Sequence, residues 1–366
     1  MVKGRRQVTN INSNKPITAM AKVLIIHTGG TFGMAVDANQ ASTISPHELL
    51  STLTNHVPEL CSIANMRLKM LCNLDSSDIG PTHWVELANL IRQEWDTFDG
   101  CVVIHGTDTL AFTAAALSFM FSHITKPIVF TGSQRPLKEL RNDARANIID
   151  AVQLASTGIP EIMVCFDSRV HRGTRVTKFS SEHMEAFKAT NTQSLGNFGV
   201  HFKIDKRRTR KPISPLLRAA PLLDARLDSR ILCLDVAPGI ELHPDIRAAL
   251  LTRTKGLVIR GFGVGNLPIN GTRSWVQLAQ EAADAHVPFV MSSLCVKGSV
   301  DLSAYENGRT LRNLGAISVR DMSYECAVVK LMVCLGRGIS YQNTAQFMVT
   351  PLASEVLTEP QEQYTT

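Results

Sequence analysis

Two hydroxyl-rich segments of this chain follow apolar runs, and either could present a nucleophile. In IIHTGGTFGM (25–34) the run Val23-Leu24-Ile25-Ile26 stops at His27, and Thr28 and Thr31 bracket Gly29 and Gly30. In CVVIHGTDT (101–109) the adjacent pair Thr107 and Asp108 stands just ahead of a helical pattern. A threonine hydroxyl is a poor nucleophile until a base takes its proton. A lysine amine can be that base where its surroundings disfavour charge, with an aspartate to orient it. Lys178, in RVTKFSS (175–181), follows the apolar run EIMVCF (161–166), although composition alone does not select it over other lysines. Structural readings compete with each of these. The glycines permit positive φ in a tight strand-to-helix turn, Thr107 or Asp108 caps the helix, and a lone lysine is ordinarily a surface residue.

Nucleotide cradles fail on spacing. Gly29, Gly30 and Gly33 do not fit G-x-G-x-x-G, and no P-loop lysine follows. GFGVGN (261–266) has Asn266 where the last glycine belongs.

The elements that would position these residues are legible as alternating strands and helices. Strand candidates are KVLII (22–26), CVVIH (101–105), PIVFT (127–131), EIMVCF (161–166), RILCLDV (230–236), GLVIR (256–260) and PFVMSS (288–293). Between them lie THWVELANLIRQEW (82–95), TLAFTAAALSFMFSHI (109–124) and SWVQLAQEAADAH (274–286), which read as helices. Continuous apolar strands separated by helices indicate an α/β protein with largely parallel sheets covered on both faces. In such sheets ligands gather beyond the carboxyl ends of the strands. The residues just past those ends are HTGGT, GTDT and GSQRP, and LDSSD (74–78) precedes the helix at 82. Thr, Ser, Gly and Asp predominate there, which suits a small polar ligand.

With 366 residues the chain has room for two domains. Residues 206–229 combine KRRTRK with Pro212, Pro215 and Pro221 and read as a linker between domains at 21–205 and 230–356. Residues 1–20 read as a disordered basic leader without the apolar stretch of a secretory signal, and 357–366 as a polar tail. The net charge of +6 is concentrated in the leader and the linker, and the remaining residues are net acidic. Without a groove-reading helix or stacking aromatics beside that charge, nucleic-acid binding is not indicated. No apolar stretch reaches membrane-spanning length. Eight cysteines stand singly with no CxxC, as buried free thiols of a reducing compartment would. Eleven histidines form no metal-ligand spacing, so neither metal nor cofactor is called for.

TGGTFGM (28–34), HGTDTLAFTAAALSFM (105–120), TGSQRP (131–136) and RGTRVTK (172–178) together resemble the L-asparaginase family, in its cytoplasmic type I branch. LDSSD and GFGVGN resemble further family segments, and the likeness runs in order from about residue 22 to 335. The resemblance implies a two-domain α/β amidohydrolase. Its larger N-terminal domain would hold a mostly parallel, mixed sheet, and its smaller C-terminal domain a flavodoxin-like parallel sheet. It implies hydrolysis of L-asparagine to aspartate and ammonia, with minor glutaminase activity, by a cytoplasmic homodimer or homotetramer. Thr31 matches the nucleophile, and Thr107, Asp108 and Lys178 match the group that handles proton transfer. Ser76 and Ser77 match positions that hold the α-carboxylate and amine of the substrate, and Asp108 also meets the amine. Gly132 and Ser133 match a backbone segment beside the reacting amide. Thr177, Arg260 and Cys295 fall where type I relatives carry an effector asparagine site. For the last two, local alternatives are an ion pair at Arg260 and a core thiol at Cys295.

Two departures from the family pattern stand out. Family members place a tyrosine about ten residues after the first threonine, but AVDANQASTIS (35–45) has none and Tyr305 is the first tyrosine in the chain. Thr43 and Ser45 are the hydroxyls at hand. Where a neighbouring subunit lends the lysine of S-G-K-V, this chain reads K-G-S-V, with Lys297 displaced and Ser299 in its place. Other readings are the asparaginase-like subunit of a tRNA-dependent amidotransferase, a non-catalytic amino-acid sensor, and an asparaginase module of a larger lipid-hydrolysing protein. The last would need a second enzyme for which this sequence leaves no room.

Overall fold

The computed structural model of the protein describes residues 20–33, 46–210, 220–271 and 273–357. The leader up to residue 19, Thr43 and Ser45, linker residues 211–219 and tail residues 358–366 lie outside the described residues. The chain divides into two compact units between Asp224 and Ala225.

Strands of the N-terminal unit are β1 (Lys22–Gly29), β2 (Asn65–Leu74), β3 (Gly100–Ile104), β4 (Phe121–Ser122), β5 (Ile128–Thr131) and β6 (Ile162–Phe166). They continue with β7 (Arg169–Arg172), β8 (Val176–Lys178), β9 (Phe187–Ala189), β10 (Gly196–Phe198), β11 (Phe202–Ile204) and β12 (Leu222–Leu223). Eight of these form one sheet in the order β11-β10-β7-β6-β5-β3-β1-β2. From β2 to β6 neighbouring strands are parallel, and from β6 to β11 they are antiparallel. The sheet is therefore mixed. β8 and β9 form a separate antiparallel hairpin.

Helices α1 (Pro46–His56), α2 (Leu60–Ile63), α3 (Pro81–Gln93), α4 (Leu110–Met120) and α5 (Ala144–Ala155) cover this sheet. Val23, Ile25, Val102, Ile104, Val129, Met163 and Cys165 share a core with residues of α1, α2 and α5. The alternate residues, Leu24, Ile26, Cys101, Val103, Ile128, Phe130, Ile162 and Val164, are equally buried. Side chains alternate across a strand, so both faces are covered, and this is why the strands read as unbroken apolar runs. α4 is apolar and buried over nearly its whole surface. Its pattern continues to Ile124, but the helix stops at Met120 because Phe121 and Ser122 turn into β4 and pair with β12.

Part of the expected linker is thereby integrated into the N-terminal unit. Its basic run is also anchored there: Arg207 and Arg208 pair with Asp205, while Arg210 and Arg172 share the buried carboxylate of Glu161.

The C-terminal unit contains β13 (Ile231–Asp235), β14 (Gly256–Gly261), β15 (Phe289–Ser293) and β16 (Ile317–Ser318), all parallel and in sequential order. Its helices are α6 (Pro244–Arg253), α7 (Ser274–Asp284), α8 (Glu306–Asn313), α9 (Tyr324–Gly336) and α10 (Tyr341–Val349). α9 packs on β13, β14 and β15. Within it Lys330 is fully buried and meets Glu355, also fully buried, at 2.5 Å. The Lys330 ammonium also donates to the carbonyls of Met348 and Thr350, and Glu355 accepts the amides of Leu352 and Ala353. A buried ion pair is tolerable only when its remaining hydrogen-bonding capacity is met, and removing one partner strands the other. Lys330→Met is therefore expected to cost about 3–5 kcal/mol of stability, measured by denaturant unfolding. A loss under about 1 kcal/mol would mean that the pair matters no more than a surface bridge.

All eight cysteines are free. Cys101, Cys165, Cys326 and Cys334 are buried as expected of core thiols, but Cys61 and Cys295 are exposed. Among the described residues no helix is long and apolar enough to cross a membrane.

Candidate active site

Because β1, β3 and β5 run parallel side by side, the loops that leave them emerge at one edge of the sheet. Gly30 (φ +80°) and Gly106 bring two of these loops into backbone contact. A Cβ on Gly30 would lie 2.5 Å from Gly106 Cα, and one on Gly106 would lie 2.6 Å from Ser76 Cβ. Only glycine fits either place. TGGT, HGTDT and LDSSD are thus held against one another with no side chain between the first two. Thr31 opens a short 3₁₀ turn, Thr31–Gly33, whose Phe32 is buried in the core with Leu49 and Leu53. The candidate nucleophile therefore stands between a locked glycine and an anchored phenylalanine, half-buried.

Thr107 and Asp108 do not cap α4. Thr109 is its N-cap and makes no side-chain capping bond. Instead, Lys178, the last residue of β8, donates to Thr107 Oγ1 at 2.7 Å and to Asp108 Oδ1 at 2.5 Å. The Lys178 side chain is 20% exposed and that of Asp108 60%. An ion pair open to water on one side adds little to stability, so its significance is positional. The serines are joined to the same cluster. Ser76 is buried; its hydroxyl accepts from the Asp108 amide at 3.2 Å, and its carbonyl accepts from the Thr109 hydroxyl at 2.6 Å. Ser77 is exposed, and Asp75 accepts both its amide and its hydroxyl at 2.8 Å. Those two bonds hold the Asp75 carboxyl below its ordinary range, and the positive charge of Lys178 adds to the effect. The loops thus gather two carboxylates, one ammonium and several hydroxyls, an arrangement suited to a small zwitterion.

The histidine of HGTDT is a strut. His105 is buried, and burial lowers its pKa to about 4, so the ring is neutral at pH 7. Nδ1 lies 2.7 Å from the Gly106 carbonyl and must carry the proton, which leaves Nε2 to accept from the Thr113 hydroxyl at 3.0 Å. His27 is likewise held neutral by burial, with its pKa lowered to about 4.

Gly132 and Ser133 are both buried directly after β5. Residues that the sequence reading passed over stand around them. The Gln134 side chain accepts from Thr107 Oγ1 at 3.4 Å and donates to the carbonyls of Ser180 and His183, just beyond Lys178. Behind the loop, Asp143 and Asn147 reach its backbone. The one available signal was the four-residue spacing of these polar residues at the start of a helix, which puts both on one face.

Thr177 precedes Lys178 on β8 in the N-terminal unit. Arg260 on β14 and Cys295 just after β15 lie at the carboxyl edge of the C-terminal sheet. Arg260 forms a bidentate pair with Asp235 and stacks over the Tyr324 ring at 4.4 Å, so its charge is met within the unit. Cys295 is not a core thiol. Lys297 and Ser299 are exposed on the same loop. Among the described residues no group of three or more His, Cys, Asp or Glu could hold a metal ion.

Comparison with known proteins matches residues 22–210 to the family described as asparaginase, N-terminal, and residues 230–348 to the glutaminase/asparaginase C-terminal domain. L-asparaginase 1 of Escherichia coli strain K12 is 32% identical over 338 residues, spanning 91% of this chain and 97% of the relative. A glutamyl-tRNA(Gln) amidotransferase subunit of Pyrococcus abyssi is 32% identical over 346 residues, 92% of this chain and 77% of that protein. Among solved structures, the thermostable L-asparaginase of Thermococcus kodakarensis superposes with a TM-score of 0.82 at 32% identity, covering 92% of this chain and 100% of that one.

Proposed function

Because this chain belongs to the asparaginase family, we propose that it hydrolyses the side-chain amide of L-asparagine to L-aspartate and ammonia. The observation that carries this reading is the meeting of Lys178 Nζ with Thr107 Oγ1 at 2.7 Å and Asp108 Oδ1 at 2.5 Å. Two segments distant in sequence meet there, beside the loop that holds Thr31.

In this reading Ser76 and Ser77 hold the α-carboxylate of the substrate and Asp108 meets its ammonium, so the far end of the molecule orients the amide. Thr31 Oγ attacks the amide carbon while its proton passes through the Thr107 hydroxyl, which the Lys178 ammonium and Asp108 hold in place. The C–N bond breaks as that proton reaches the leaving nitrogen, giving ammonia and an ester on Thr31. Water then cleaves the ester to release L-aspartate and restore the hydroxyl. The tetrahedral oxyanion of each step needs N–H donors, a role this reading gives to the backbone of the Thr31 turn and of Ser133. The working form in this reading is a cytoplasmic homodimer or homotetramer.

The similarity to an amidotransferase subunit, equal in identity to that of the asparaginase, supports a second reading in which the amide donor differs. Ammonia release by the purified chain from L-asparagine, L-glutamine and D-asparagine separates the two. Preferential turnover of L-asparagine is expected. Turnover of L-glutamine alone, or binding of L-aspartate without release of ammonia from any amide, would overturn the asparaginase reading.

A further inference from the structure

Asp143 is the N-cap of α5, yet its carboxylate caps no backbone amide of that helix. An aspartate there ordinarily accepts from the second or third helical amide. Here it is turned onto the preceding loop. The Gln134 amide donates to its Oδ1 at 3.1 Å and Oδ2 at 2.9 Å, and the Arg135 amide to its Oδ1 at 3.1 Å. One helical turn later, Asn147 Nδ2 donates to the Gly132 carbonyl at 3.0 Å and to Asp143 Oδ2 at 3.1 Å. Its Oδ1 accepts the Asp167 amide at 2.9 Å. Asp143 is 7% exposed and Asn147 1%. A buried carboxylate is costly unless hydrogen bonds compensate it, and here the loop amides compensate what the helix forgoes.

The geometry fixes more than the two bonded atoms. In a trans peptide the C=O and the N–H point in opposite directions. With the Gly132 carbonyl and the Gln134 amide both drawn toward α5, the Ser133 N–H and the Ser133 carbonyl must both face away from it. One donor and one acceptor side by side match the C=O and NH₂ of a carboxamide. The same anchoring sets Gln134, whose side chain touches Thr107 and the Ser180–His183 loop.

We propose that Asp143 and Asn147 are positioning residues for amide hydrolysis, holding the Ser133 backbone toward the substrate amide and Gln134 against the Thr107–Lys178 pair. The proposal rests on the amidohydrolase reading above, and its test separates the two. Asn147→Asp keeps the size of the side chain and the acceptor for Asp167 but removes the donor to Gly132. Its kcat for L-asparagine is expected to fall about 10²-fold, the scale of a misplaced reacting group. L-Aspartate affinity by calorimetry, set largely by the serine and Asp108 end, is expected to stay within about threefold. Asp143→Asn retains an acceptor and is expected to lose less than Asn147→Asp, with faster amide hydrogen exchange confined to residues 131–137. A folded Asn147→Asp protein within about threefold of wild-type kcat would overturn the proposal. So would equal losses of kcat and aspartate affinity, which a merely structural role would give. If the wild type releases no ammonia, the hydrolase reading fails by itself. The clamp is then judged on exchange alone, and unchanged protection of Gln134 and Arg135 in Asp143→Asn overturns it.

Discussion

Thr31→Ala is expected to leave a folded protein that still binds L-aspartate but releases ammonia from L-asparagine on the order of 10⁴–10⁶ times more slowly, the effect of losing a covalent nucleophile. Both halves of this result follow from how the loop is held. Thr31 is half-buried, and the neighbours that shape its turn are Gly30, locked on Gly106, and Phe32, sunk in the core. Neither contact involves the threonine hydroxyl, so alanine removes an oxygen without disturbing what holds the backbone. Product affinity should survive because the proposed reading has the amino-acid end held by Ser76, Ser77 and Asp108. Measured together, ammonia release and aspartate calorimetry discriminate cleanly. Turnover within about tenfold of wild type would end the case for Thr31 as nucleophile, since no base or oxyanion donor could compensate for a missing reacting atom.

Lys178→Met should lower kcat about 10²–10⁴-fold, the usual worth of positioned proton transfer, with a much smaller change in stability. The two parts of this expectation come from different features. Lys178 is the contact that joins Thr107 and Asp108, so in the proposed mechanism its loss leaves the hydroxyl that relays the attacking proton unheld. Its loss should cost little folding energy because Asp108 is 60% exposed and water can take over its charge. This is the reverse of Lys330, whose carboxylate partner has no access to water. A Lys178→Met protein with unchanged kcat would exclude the lysine from proton transfer, and one that fails to fold would give it a structural role. Parallel steady-state kinetics and thermal melts would show which.

How much of this was legible in the sequence depended on the range of the interactions concerned. Of the parallel strands, those at 22, 100, 128, 162, 256 and 289 announced themselves because burial on both faces demands unbroken apolar runs; β13 is as apolar but only half-buried, and the edge strand β2 went unread. The antiparallel extension from β7 to β11 did not. Its strands are three or four residues long, carry charges as in RVHR and FKI, and owe their conformation to pairing rather than to local preference. The end of α4 was misjudged for the same reason, since pairing with Leu222 and Leu223, about a hundred residues on, overrides an apolar helical pattern. Thr31, Thr107, Asp108 and Lys178 were singled out through motifs. The diversion of Asp143 from capping to clamping was beyond reach, because a sequence shows that a residue can cap a helix but not which amides its carboxylate chooses.

The buried pair of Lys330 and Glu355 also has a consequence in time. A growing polypeptide emerges from its amino end, and domains tend to fold in that order during synthesis. α9 and its lysine exist for 25 residues of translation before the carboxylate that neutralises them is made. Until then the ammonium would have to remain in water, and the helix that carries it could not settle against β13, β14 and β15. In the N-terminal unit the buried Glu161 carboxylate waits only 11 residues for Arg172, the first of its two arginine partners. The C-terminal unit can therefore close only once Glu355 is present, so the later-made member of this pair sets when α9 can pack.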